Sequence, residues 1–115
     1  MAKLEVQGLK KLEKKLKDNV TLDDVKRVVK YNGGKLQEKI QDGADFKKGY
    51  QTGATKRSVE LEITDGGFTA VSGPTTEYAE YLEYGTRFME AQPFVKPALN
   101  EQKKKFQKDL EKLMK

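Results

Sequence analysis

The chain has 115 residues, of which 36% are hydrophobic and 36% charged. This balance favours either a small domain that completes its burial against copies of itself or a partner, or a chain with a mobile tail. The absence of histidine and cysteine excludes disulfides, thiol nucleophiles, Ser-His triads and metal or haem sites built on those residues. The net charge of +5 is compatible with binding to nucleic acid or to an acidic partner. The sequence has no long apolar run and no signal peptide, which predicts folding in a cytoplasm and no membrane contact.

Two helices are predicted in the N-terminal part of a single domain that spans residues 1–115. Residues 8–18 repeat leucine at helical spacing, with lysines on the opposite face. Thr21 is a suitable N-cap for the second helix, and Asp24 lies near the positive end of its dipole. Gly33-Gly34 then indicates either a break in this helix or a close approach of a neighbouring backbone, and the sequence alone favours a break.

Residues 42–57 show neither a helical nor a strand period and contain three glycines, which predicts a long loop. Loops of this length in a compact domain are usually functional or disordered. Four basic side chains make the loop a candidate for contact with phosphates, although a solvated surface is the simpler interpretation. They are Lys47, Lys48, Lys56 and Arg57.

An antiparallel hairpin is predicted over about 57–73, where apolar and polar side chains alternate. Asp65-Gly66 favours a two-residue turn. Such a turn would pair Thr64 with Gly67 and place the apolar residues of both strands on one face.

A long C-terminal helix is predicted over residues 94–114, with one apolar stripe in which Gln102 fills a step. Pro97 fits its first turn, where a missing N–H costs little. The helix would be about 30 Å long. A single stripe of that length needs a broad sheet or another subunit to cover it.

Aromatic and rigid residues concentrate between residues 78 and 97. Tyr78, Tyr81 and Tyr84 recur every three residues and would lie nearly together on a helical turn. Tyrosine combines a large ring with a polar tip, so these residues belong either to a subunit interface or, for two of them, to the core of the monomer. The predicted contact set at or near subunit interfaces is Tyr78, Tyr81, Tyr84, Phe88 and Phe94.

The sequence predicts no catalytic, metal or cofactor site. No phosphate-binding loop is present, and Asp23-Asp24 is explained by the start of a helix. Four glutamates could act in acid–base chemistry or hold a hard cation, but no nucleophile or orienting residue accompanies them. They are Glu77, Glu80, Glu83 and Glu90.

Several short motifs occur here in the order found in a known family. They read GLKKLEKKL at 8–16, Thr52-Gly53 followed by Lys56-Arg57-Ser58, YAEYLEYGT at 78–86 and QPFVKPAL at 92–99. Together they resemble the HK97 gp10-like family of tailed phages and prophages over nearly the whole chain. The chain departs from the family pattern just before Thr52, where Gly49-Tyr50-Gln51 replaces a Pro-x-Asp or similar element. In the family the second helix is usually continuous, which favours one kinked helix here.

The resulting prediction is an α+β domain with a small antiparallel sheet, two N-terminal helices and a long C-terminal helix. The resemblance implies a structural protein of the head–tail junction that acts in tail completion, joining or termination. It implies that the protein is made in the cytoplasm of the bacterial host and is monomeric in isolation. In the virion, the subunit would form a ring and contact other neck and tail proteins.

DNA in the lumen is a further candidate partner, and residues 43–57 are the candidate segment to meet DNA or a neighbouring ring. The residues that the motifs mark as structural are Thr52, Gly53, Gly85, Thr86, Pro93 and Pro97. The alternative function is a basic nucleic-acid-binding module, and a small enzyme is less favoured.

Overall fold

The computed structural model describes residues 2–44, 56–76, 78–85, 91 and 93–115. Their α+β architecture confirms the predicted fold class, with a small antiparallel sheet, two N-terminal helices and a long C-terminal helix. None of the helices in this part of the chain is both long enough and apolar enough to cross a membrane. The elements are β1 (Ala2–Glu5), α1 (Leu9–Lys15), α2 (Leu22–Gly43), β2 (Glu60–Thr64), β3 (Thr69–Gly73), α3 (Tyr78–Tyr84) and α4 (Val95–Lys112).

The sheet has three strands in the order β1-β3-β2, and both pairings are antiparallel. Sequence analysis missed β1, because its four residues show only two periods of alternation before a clear helical pattern begins. Ala2 and Leu4 of this strand are buried, and Leu4 lies opposite Ala70 of β3. The N-terminal segment therefore contributes part of the core and one edge of the sheet.

The predicted two-residue turn is wrong. Thr64 pairs with Thr69, so four residues, including the 3-10 turn Asp65–Gly67, connect the two strands. The Thr69 hydroxyl donates a hydrogen bond of 2.7 Å to Asp65 Oδ2, which closes the longer loop. The register differs from the predicted one by two residues. Because this number is even, the apolar face of each strand is still the predicted one.

Helix α2 runs without interruption from Leu22 to Gly43, so the break at Gly33-Gly34 that the sequence alone favoured is wrong, and the single helix that the family resemblance favoured is found. Its start is as predicted, since the Thr21 N–H donates a hydrogen bond of 2.9 Å to Asp24 Oδ2. The alternative role of a glycine at this position, a close approach between the helix and a neighbouring backbone, is the one that Gly33 has. A Cβ atom on Gly33 would lie 2.8 Å from the Cβ of Ala70 in β3.

Helix α4 lies against α2 and β1. Gln102 and Phe106 of its predicted stripe are buried together with Ala98, whereas the other stripe residues are half-buried against the core. Gln102 meets Asn32 of α2 in a buried polar contact. The Asn32 Nδ2 group donates to Val28 O at 2.9 Å and to Asp109 Oδ2 at 3.0 Å. Its Oδ1 atom is left to accept from Gln102 Nε2 at 2.5 Å. These directional bonds set the register between α2 and α4.

The end of α4 is tied to the end of α1. Leu16 and Met114 form an isolated antiparallel bridge. On either side of it, the Lys17 N–H donates to Leu113 O and the Lys115 N–H to Lys15 O, both at 2.8 Å. This pairing holds α1 beside the C-terminal end of α4, and the inward-facing Leu12 and Leu16 join the core there.

Substitutions at the two adjacent glycines should have opposite effects. We expect Gly33→Ala to lower the free energy of unfolding by about 1–3 kcal/mol, because the new methyl group overlaps Ala70 and Leu61. Gly34→Ala should raise it by about 0.4–1 kcal/mol, because the position has no atom within 4 Å of a new Cβ and alanine favours the helix. Urea unfolding followed by circular dichroism measures both. Equal effects would contradict the close approach at Gly33.

A candidate interface at helix α3

Two of the predicted interface tyrosines are exposed on α3. The side chain of Tyr81 is 54% exposed and that of Tyr84 is 76% exposed, so neither ring belongs to the core. Tyr78 begins the helix, but its side chain and all of Phe88 lie outside the described residues. Phe94 is 3% exposed and packs within the chain, where its backbone and Cβ approach Gly43.

Helix α3 is short but defined at both ends. The Ala79 N–H donates to Thr76 O at 3.3 Å, and the Gly85 N–H donates to Tyr81 O at 2.7 Å. Gly85 has a φ of 75°, a left-handed conformation that terminates the helix and that glycine adopts without strain. Ala79 is buried, whereas Tyr81 and Tyr84 lie on the opposite side of the helix.

The carboxylate of Glu83 joins α3 to the start of α4. Its Oε1 accepts hydrogen bonds from the backbone N–H groups of Phe94 and Val95, each at 2.9 Å, and its Oε2 accepts one from Lys96 at 3.2 Å. The next residue, Pro97, has no N–H. Every unpaired donor at this helix terminus is therefore satisfied by one side chain, whose negative charge also suits the helix dipole. We refer to this arrangement as the Glu83 clasp.

The clasp replaces the caps that α4 lacks. Phe94 at the N-cap position offers no side-chain hydrogen bond, and the first turn contains no acidic residue. Sequence analysis placed Glu83 in an acidic cluster and missed this role. The sequence did contain an indication of this role, because α4 begins without a capping side chain of its own. A helix that starts with an aromatic N-cap and a proline needs a hydrogen-bond acceptor from another part of the chain.

The remaining residues that the sequence marked as functional or structural lie partly inside and partly outside the described part of the chain. Lys47, Lys48, Thr52, Gly53 and Thr86 lie outside the described residues.

Lys56 and Arg57 are exposed, as is Pro93. Ser58, which follows them, accepts hydrogen bonds from the backbone N–H and hydroxyl of Thr75 at 3.0 and 3.2 Å. These bonds hold the segment that precedes α3 next to the start of β2.

Of the four glutamates that could act in acid–base chemistry or hold a cation, only Glu80 and Glu83 belong to the described part of the chain. No group of three or more acidic side chains in this part of the chain could hold a metal ion. Between α2 and α4, a hydrogen bond and the charge of Lys39, with a smaller contribution from Lys105, hold the pKa of the Glu101 carboxyl below its usual range. This carboxyl is exposed, so the shift marks a surface ion pair between two helices.

A comparison with protein families identifies the family of the chain. Residues 7–85 match the model of the HK97 gp10-like family, described as "Bacteriophage HK97-gp10, putative tail-component". The match covers most of the chain and ends at Gly85, the residue that terminates α3. The chain belongs to the HK97 gp10-like family of phage tail components. Searches of curated proteins and of solved structures found no significant match.

The Glu83 clasp should contribute measurably to stability. We expect Glu83→Gln to lower the free energy of unfolding by about 1–3 kcal/mol, because it removes the charge and one of the two acceptor atoms facing three N–H groups. Glu80→Gln on the same helix is the matched control, since Glu80 is exposed, and its effect should stay within about 0.5 kcal/mol. Urea unfolding compares the two. A loss no larger for Glu83→Gln than for Glu80→Gln would argue against the clasp.

Proposed function

We propose that this tail component acts at the head–tail junction of a phage or prophage particle, in tail completion or joining, as a one-domain subunit of a homo-oligomeric ring. Family membership supports a structural role in the tail. The ring and its position at the head–tail junction are what the family resemblance implies, and the exposed tyrosines of the subunit support a contact between copies. In this proposal the protein is a virion component that contacts other neck and tail proteins and performs no chemistry.

The observation that carries the proposal is the exposure of Tyr81 and Tyr84 on a helix with fixed ends. Surface tyrosines are enriched at protein interfaces because they bury a large area with few rotatable bonds. Both rings face away from the subunit, while the Glu83 clasp and Gly85 hold the helix that carries them. A rigid helix that presents aromatic rings is suited to insertion against a neighbouring subunit, because little conformational entropy is lost on binding.

The outer edges of the sheet offer a second contact between copies. Among the described residues, strands β1 and β2 pair only with β3, which leaves each with one outer edge. Ile63 of β2 is also 39% exposed. Open edges with exposed apolar residues readily accept another strand. We propose that a neighbouring copy covers the β2 edge in the ring.

The interface is tested by the double substitution Tyr81→Ala/Tyr84→Ala. We expect it to reduce incorporation into particles about tenfold or more, as the loss of two interface anchors does, while the free energy of unfolding changes by less than about 1 kcal/mol. Incorporation is measured on purified particles from a host whose prophage lacks this chain, complemented with the variant. Stability is measured by urea unfolding of the free protein.

Tyr31→Ala is the matched control, because Tyr31 is a tyrosine of similar exposure, 62%, on the surface of α2. It should leave incorporation unchanged. If the double variant loses stability in proportion to assembly, the two rings serve the fold of the subunit and the interface is disproved. Electron microscopy of particles should place the protein in a ring between head and tail, and a position elsewhere in the tail would rule out the junction role.

A further inference from the structure

The positive charge of the chain is concentrated in two segments that the fold brings together. Residues 8–18 and 103–115 contain eleven lysines and four acidic residues, which leaves a net charge of +7. The remaining residues together carry a net charge of −2. The net charge of the protein therefore resides in α1 and the second half of α4.

These two segments lie at the same end of the molecule. The bridge between Leu16 and Met114, flanked by two backbone hydrogen bonds of 2.8 Å, joins the end of α1 to the end of α4. Within this pairing Lys15 and Lys115 occupy opposed positions, and like charges directly opposite one another destabilise a strand pair. The fold thus maintains a surface whose charges repel one another.

All eleven lysines are exposed, and most form no ion pair with a described residue. Three of them form ion pairs: Lys105 with Glu101 at 3.6 Å, Lys112 with Asp109 at 3.9 Å and Lys115 with Asp18 at 3.7 Å. The other eight have no ion pair with any described residue, and we call them the basic surface. They are Lys10, Lys11, Lys14, Lys15, Lys17, Lys103, Lys104 and Lys108.

Ion pairs are more frequent on helix α2 than among the eleven lysines of the two segments. Four of its five basic residues are paired with acidic side chains, at distances from 3.1 to 3.9 Å. Mixed charges of this kind are typical of a solvated helix. The unpaired lysines of α1 and α4 instead favour a partner that supplies the negative charge.

The composition of the basic surface distinguishes between anionic partners. Lysine is depleted at protein–protein interfaces, which disfavours an acidic protein as the partner. The two segments contain no arginine for bidentate reading of bases. Their one aromatic residue, Phe106, is buried, so no ring is available to stack on the bases of a single strand. Lysine ammonium groups are suited to phosphates, which are contacted without regard to sequence.

We propose that the basic surface binds the phosphate backbone of double-stranded DNA without sequence specificity. The affinity falls as salt rises, because each neutralised phosphate releases condensed counterions. Contact with about four phosphates gives a slope of about −3.6 for log K against log salt concentration. This activity goes beyond the role in the ring and does not depend on it.

The test uses the full chain, a random-sequence duplex and fluorescence anisotropy at about 50–200 mM salt. The substituted variant is Lys11→Gln/Lys14→Gln/Lys104→Gln/Lys108→Gln. We expect it to bind about tenfold more weakly or worse at the lower salt, with a shallower salt slope.

The control variant, Lys3→Gln/Lys30→Gln/Lys35→Gln/Lys96→Gln, has the same net charge and should lose less than about threefold. Urea unfolding confirms that both variants fold.

Three outcomes would overturn the inference. The first is no binding of the wild-type chain to duplex at the lower salt, or an equal loss of affinity in both variants. The second is tighter binding to poly-glutamate or to single-stranded DNA of equal charge than to duplex. The third is loss of binding in Lys56→Gln/Arg57→Gln with full binding in the substituted variant, which would locate the contact at residues 43–57.

Discussion

The rest of the fold depends on the close approach of helix α2 to the sheet. Gly33 has no side chain, and Ala70, which lies beneath it in the central strand, has the smallest one. Two small residues facing each other let the helix settle between Leu4 on one neighbouring strand and Ile63 on the other. A glycine inside a helix lowers its intrinsic stability by about 1 kcal/mol relative to alanine. The buried contact between the helix and the sheet outweighs that cost.

The position of α4 follows from that of α2. Helix α4 packs along α2 and β1, and the contact between Asn32 and Gln102 lies one residue before the Gly33 approach. The two helices are therefore aligned at the level where α2 meets the sheet. This alignment brings the N-terminus of α4 to α3, where the carboxylate of Glu83 binds it, and brings its C-terminus to α1. The exposed tyrosines and the lysines thus lie at opposite ends of α4.

Local patterns were sufficient to predict the features that have a local cause. The inward face of α4 and the strand β2 were predicted from repeats of 3.6 and two residues, and both elements are found in the structure, although Ile63 at the end of β2 is exposed. The Thr21 cap is also local, with its acceptor three residues away. The α+β class follows from these elements, and the order of the motifs indicated the family.

Features that depend on distant residues could not be predicted in this way. Gly33-Gly34 has the same local appearance whether the helix ends or meets a sheet, and Ala70 decides between these outcomes. The hairpin register was wrong because the Asp65–Thr69 hydrogen bond extends the turn. Strand β1 is too short to show a period. Glu83 binds N–H groups 11 to 13 residues further along the chain, and no periodic pattern reports such a contact.

The Glu83 clasp has a consequence for how related chains can diverge. It closes the segment between Tyr84 and Phe94 into a loop whose two ends are fixed by one carboxylate. The free energy of closing a loop changes only slowly with its length. Insertions or deletions between these two fixed ends therefore leave α3 and α4 in place, because Glu83 rather than the intervening residues holds the two helices together.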